Sequence, residues 1–134
     1  MSTDQKIETF LSADPFAVVG ASTNRAKYGN KVLRAYLQAN RAAIPVHPSA
    51  REIEGLAAYP DLASIPDTIH GISIITPPHV TESIIAQAAK CGIDHVWIQP
   101  GAESEKALAI ADSHQMNVIA GGPCILVTLQ YREG

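Results

Sequence analysis

The sequence predicts an α/β protein, a doubly wound parallel sheet of about five strands held between layers of helices. Short apolar, partly β-branched runs recur at 16–20, 43–46, 69–76, 95–99 and 117–120, and segments with helical spacing alternate with them. Gly, Pro and small polar residues mark the boundaries. Runs that are apolar at every position suit strands covered on both faces. Strand–helix alternation at this spacing implies right-handed crossovers in one sheet.

Thr3 or Asp4 is positioned to cap a leading helix. Ile7, Phe10 and Leu11 form its apolar stripe, and Asp14-Pro15 stops it. Residues 1–15 should thus cover one side of the sheet. Residues 16–20, FAVVG, read as the first, central strand. Small and polar residues follow, then basic Arg25 and Lys27, then Tyr28-Gly29, and then Val32, Leu33, Tyr36 and Leu37 on one helical face. A helix beginning near Gly29 aims its unpaired N–H groups and positive dipole end back at the loop, which suits a phosphate or pyrophosphate. The loop adds hydroxyls and two cations. A plain tight turn uses the same pattern, so the segment alone does not establish a ligand.

Gln38-Ala39-Asn40 ends that helix, and 43–46 is the second strand, although Pro45 cannot donate to a ladder. His47-Pro48-Ser49 leaves its carboxyl end. Residues 51–59 turn about Gly55 between short extended flanks. The strand at 69–76 is broken by Pro77-Pro78, and a helix from Pro78 presents Val80, Ile84, Ile85, Ala88 and Cys91 on one face before Gly92. Cys91 is therefore expected to pack. In 95–99 the alternation sets Trp97 opposite Val96 and Ile98, in the core or a subunit contact. Pro100-Gly101 turns into a helix over 103–115 with acids in its first turn. After the last strand comes Gly121-Gly122-Pro123-Cys124, and 125–127 is ambiguous.

A chain of 134 residues is one domain, 1–134, with room for a single core. It is 46% hydrophobic and 17% charged, which places it among globular proteins. The net charge of -3 argues against a general nucleic-acid partner, so any anion site must be local. The amino-terminal segment carries acids and has no long apolar core, and no apolar run reaches membrane-spanning length. A cytoplasmic protein with no membrane partner is expected. Two cysteines make neither a disulfide framework nor a metal site, and both should be reduced thiols.

The strand ends share a character. Gly20-Ala21-Ser22-Thr23, His47-Pro48, Thr76-Pro77-Pro78, Gln99-Pro100-Gly101 and Gly121-Gly122-Pro123-Cys124 all emerge at the carboxyl edge of a parallel sheet. Ligands of open α/β folds bind there, where the strand order reverses. A nicotinamide or flavin dinucleotide is disfavoured by the single early glycine and by His47 where a ribose-binding acid is wanted. An NAD(P)-using oxidoreductase remains the alternative. Arg25 and Lys27, joined by Arg51 beyond the second strand, fit a nucleotide bearing an extra ribose phosphate.

Over 16–127 the sequence resembles the small stand-alone coenzyme A-binding proteins, which are similar to the amino-terminal domain of the succinyl-CoA synthetase alpha subunit, Rossmann-like in fold. The residues that carry the resemblance are V-V-G-A-S with Tyr28-Gly29, I-P-V-H-P, E-I-E-G with A-Y-P-D-L, T-P-P, V-W-I-Q-P-G-A and G-G-P-C. The resemblance implies that Ser22, Thr23, Asn24 and Arg25, with Tyr28 and Gly29, hold the diphosphate of coenzyme A. It puts His47-Pro48 by the adenosine end and lines the groove with Thr76-Pro77-Pro78 and Gln99-Pro100. Two departures stand out: His47 replaces a frequent Asn, and Thr76-Pro77 replaces an aromatic–arginine pair.

The resemblance brings no catalysis, because the phosphohistidine of the synthetase lies in a second domain. A coenzyme A or acyl-CoA carrier, sensor or accessory module in acyl-CoA metabolism is expected, as a homodimer or beside an acyl-CoA enzyme, with no catalytic residue and no metal. The five histidines are scattered and lack paired carboxylates. Cys124, at the ligand edge, offers a third reading: a thiol switch able to form a mixed disulfide with coenzyme A.

Overall fold

The computed structural model describes residues 1–133. Helix α1 (Thr3–Phe10) opens the chain, capped by Ser2 rather than by Thr3 or Asp4. Ser2 Oγ accepts from Gln5 N at 3.2 Å, and Gln5 Oε1 accepts from Ser2 N at 2.9 Å. This reciprocal box satisfies two orphan donors, which a cap inside the helix would not. The fold continues with β1 (Phe16–Val19), α2 (Tyr28–Gln38) and β2 (Ala43–Val46). A small hairpin, β3 (Glu52–Ile53) and β4 (Leu56–Ala57), precedes β5 (Gly71–Ile74), α3 (Pro78–Lys90) and β6 (His95–Ile98). The chain ends with α4 (Glu105–Ser113), β7 (Asn117–Ile119) and the one-turn α5 (Ile125–Thr128).

Five strands form one parallel sheet in the order β2-β1-β5-β6-β7. All four residues of β1 are buried, and the order reverses between β1 and β5. Pro45 is tolerated because β2 is the edge strand, where a missing N–H breaks no interior ladder. The expected turn about Gly55 is the β3–β4 hairpin, with Glu54 and Gly55 at φ 51° and 78°. Two successive left-handed residues match the twist of the flanking strands.

The two faces of the sheet bury different side chains. Ala17, Val19, Ile72, Ile74, Val96 and Ile98 meet α3 and α4 in an aliphatic layer. Phe16, Val18 and Trp97 meet Phe10 of α1, Leu33 and Tyr36 of α2 and Ile125 of α5 in a largely aromatic one. Phe16 stacks on Phe10 and Tyr36 at 5.0 and 4.7 Å, and Trp97 stands edge-on to Phe10 at 5.5 Å. Trp97 is thus a core residue.

Cys91 departs from expectation: it is exposed at the C-cap of α3. Gly92 turns left-handed at φ 73°, Ile93 N donates to Ala88 O at 3.0 Å, and buried Ile93 supplies the apolar contact expected of Cys91. Among the described residues no helix is long and apolar enough to cross a membrane.

Candidate functional site

The carboxyl edge is built on two glycine contacts. A Cβ on Gly20, at φ 95°, would lie 2.1 Å from Ile75 O, and one on Gly29 would lie 1.9 Å from Gly20 O. The chain leaving β1 therefore touches the chain leaving β5 at the point where the order reverses, and the first turn of α2 rests on the end of β1. The loop between Gly20 and Tyr28 is closed at its base.

Inside the loop, Ser22 Oγ accepts from Asn24 N and Asn24 Oδ1 accepts from Ala26 N, each at 3.0 Å. Those two acceptor oxygens shape the loop. From beneath, Asn30 Nδ2 donates to Ser22 O at 2.9 Å, and Arg34 Nη2 donates to Arg25 O at 2.7 Å. Arg34 Nε also donates to Asn30 Oδ1 at 2.7 Å. Asn30 is fully buried and Arg34 nearly so. Sequence reasoning passed over this pair. Its signal was a polar i, i+4 spacing on a helix face that must pack.

Of the two loop cations, Arg25 pairs its Nη1 with Glu54 Oε1 of the hairpin, and Lys27 is exposed at the N-cap of α2. Hydrogen bonding from Asn30, and then pairing with Arg25, holds the Glu54 carboxyl below the usual carboxylate range. Tyr28 and Gly29 begin the helix, so their N–H groups have no intrahelical acceptor. Thr23 and Tyr28 are exposed on the same rim. Gly20 and Ala21 are packing residues; Ala21 is 4% exposed against the aromatic layer.

The other predicted residues lie along this rim. His47 Nδ1 accepts from Ser49 N at 3.1 Å and Ala50 N at 2.9 Å, so the ring closes its own turn beside Pro48. Thr76 Oγ1 bonds Thr81 Oγ1 at 2.8 Å ahead of α3, with Pro77 as its N-cap and Pro78 its first residue. Gln99, 5% exposed, accepts from Ile125 N at 2.8 Å and donates through Nε2 to Cys124 Sγ at 3.4 Å. Trp97 Nε1 donates to Pro123 O at 3.1 Å. The G-G-P-C segment is thereby clamped to β6.

Tyr28, Ile75, Gln99, Pro100 and Cys124 line a cleft of about 240 Å³. The structure brings these together with the loop and with Thr76; His47-Pro48 stands at the β2 end of the row. A larger hollow of about 730 Å³ lies between Gln38-Ala39 and Leu129–Arg132, at the far end of α2. That is the amino edge of the sheet, away from the reversal, and its open form suits solvent more than a ligand.

Solved structures share this architecture. A conserved hypothetical protein from Pyrococcus furiosus is 36% identical, with a TM-score of 0.80 over 84% of this chain and 97% of that one. A hypothetical protein from Pyrococcus horikoshii OT3 is 26% identical, with a TM-score of 0.90 over 97% and 91%. The ADP-forming acetate–CoA ligase I of Archaeoglobus fulgidus is 26% identical over 78 residues, 58% of this chain and 11% of the ligase. The chain thus spans about a tenth of the length of that curated relative. Residues 14–130 match the CoA binding domain family, in agreement with the resemblance carried by the motifs. With that match running from before β1 to past α5, this chain belongs to the CoA binding domain family.

Proposed function

We propose that this protein binds coenzyme A or an acyl-CoA through its ADP portion, as a non-catalytic sensor or accessory module. The observation that carries this reading is the closed loop between Gly20 and Gly29 at the point of strand reversal, within a chain of the CoA binding domain family. The first turn of α2 presents the Tyr28 and Gly29 amides, which have no intrahelical acceptor, and the neighbouring side chains of Thr23, Lys27 and Arg25, a seat suited to a diphosphate. The strand order supports the direction of the ligand. His47-Pro48 is next to this seat on the β2 side, and Thr76–Pro78, Gln99-Pro100 and Cys124 follow on the other. Five strands about 4.8 Å apart make a rim of about 19 Å, along which the nucleotide and the start of its pantetheine arm would lie. The cleft beside Gln99 and Cys124 then receives the distal part of that arm.

Calorimetry with coenzyme A, dephospho-CoA, NAD and NADP on one preparation tests this reading. Coenzyme A should bind most tightly, and Lys27→Ala should weaken it more at low salt than at high salt. Tighter binding of NAD or NADP would favour an oxidoreductase instead. Native mass spectrometry of the purified protein distinguishes bound coenzyme A from a thioester. The same spectrum tests the thiol-switch reading, since a mixed disulfide at Cys124 would persist through denaturation and vanish with reductant.

A further inference from the structure

The hairpin tip carries a carboxylate to which the ligand reading gives no role. Glu54 takes the first position of the β3–β4 turn at φ 51°, a conformation usually left to Asn, Asp or Gly. Its side chain, 19% exposed, crosses to the neighbouring elements, pairing with Arg25 in the loop and accepting from Asn30 Nδ2 of α2 at 3.2 Å. The charged groups that act on it are the guanidiniums of Arg25 and Arg34; Arg51 and Glu52 of its own hairpin are exposed. The chain has supplied its own anion beside the first turn of α2.

The hairpin that holds this anion is fixed. Ile53 is 2% exposed, Ala58 N donates to Arg51 O at 2.9 Å, and Tyr59 is tied to β2 through Pro45 O at 3.1 Å and His47 N at 2.9 Å. Resting on the ligand reading above, we infer that Glu54 is a tethered competitor of the ligand's diphosphate for Arg25. Entry of the ligand exchanges a carboxylate oxygen for a phosphate oxygen on that guanidinium, and the displaced Glu54 limits how tightly the ligand is held. Arg34 and Asn30 keep the loop backbone in place while the exchange occurs. A Glu54 that has lost Arg25 and faces a phosphate binds protons more readily, so the exchange takes up a proton at mildly acidic pH.

The test is a double-mutant cycle read by calorimetry with coenzyme A on wild type, Glu54→Gln, Arg25→Gln and the double variant. Glu54→Gln should tighten binding about three- to tenfold in wild type and change it less than about twofold in Arg25→Gln. Repeated at acidic pH in buffers of different ionisation enthalpy, wild type should take up protons on binding and Glu54→Gln should not. Melting temperatures establish that each variant is folded. If Glu54→Gln does not fold, Glu54→Asp, one methylene shorter and better suited to the turn, should tighten binding likewise. Weaker or unchanged binding in the Glu54 variant overturns the inference, as does equal tightening in both backgrounds, which would be plain repulsion. A wild-type protein that binds no coenzyme A overturns the ligand reading and this inference with it.

Discussion

Gly29 rests on the carbonyl oxygen of Gly20 so closely that a Cβ at position 29 would stand 1.9 Å from it. Both partners are backbone, so no rotamer change relieves the clash. Gly29→Ala is expected to cost about 3 kcal/mol, since crowding a packed contact forces backbone shifts. It should also weaken coenzyme A more than tenfold by lifting α2 from the loop. Thermal unfolding and calorimetry check both effects, and a variant with wild-type melting would contradict the contact.

Gln99 joins β6 to the chain after β7. Gln99→Leu keeps the volume but leaves the buried Ile125 N–H without its acceptor, at a cost of about 1–3 kcal/mol. Amide hydrogen exchange at Ile125 should accelerate while the amides of β6 stay protected. Equal protection in both proteins would show that the segment is held by other contacts.

Tyr36 and Ser73 share a hydroxyl–hydroxyl bond in the aromatic layer, with both residues fully buried. Tyr36→Phe strands the Ser73 hydroxyl and should destabilise by about 1–2 kcal/mol; adding Ser73→Ala should recover part of the loss. Burial pushes the Tyr36 phenol above the usual tyrosine range. An acid whose folded pKa is raised releases its proton first in the unfolded chain, so its contribution is lost as pH rises past the unfolded value. Ultraviolet titration should find one tyrosine that ionises only on unfolding.

His95 sits at the start of β6 with its ring 4.7 Å from that of His70. Burial, and then the neighbouring His70, lower its pKa from 6.5, with Asp94 pulling the other way. The folded state accepts this proton less readily than the unfolded chain. Stability should therefore fall as pH drops through the unfolded value of 6.5, and level off below the folded pKa. His95→Asn should flatten urea midpoints measured between roughly pH 7.5 and 5. An unchanged slope would place the dependence on another group.

Much of this architecture is local and therefore readable. The five strands of the main sheet fall on apolar runs, α2 and α3 end where Asn40 and Gly92 turn left-handed, and the turn at Gly55 needs left-handed residues. The strand ends that line the rim follow from parallel topology alone. What escaped depends on partners distant in sequence. Glu54 lies 29 residues from Arg25 and 24 from Asn30, and no periodicity links them. Ser22, Asn24 and His47 each give an acceptor atom to a nearby backbone N–H, a local turn-shaping role that no periodicity announces. Cys91 was misplaced by a single residue at a helix end, where the chain leaves the helical face.

The single tryptophan gives the rim an optical handle. Its indole is packed edge-on to Phe10 and hydrogen-bonded to Pro123 O, one residue before Cys124. Emission from that ring therefore senses the segment carrying the thiol directly, without an added dye. A red shift on titrating coenzyme A would register loosening of that strap, and quenching at constant wavelength would register a cofactor docking against a strap that stays shut.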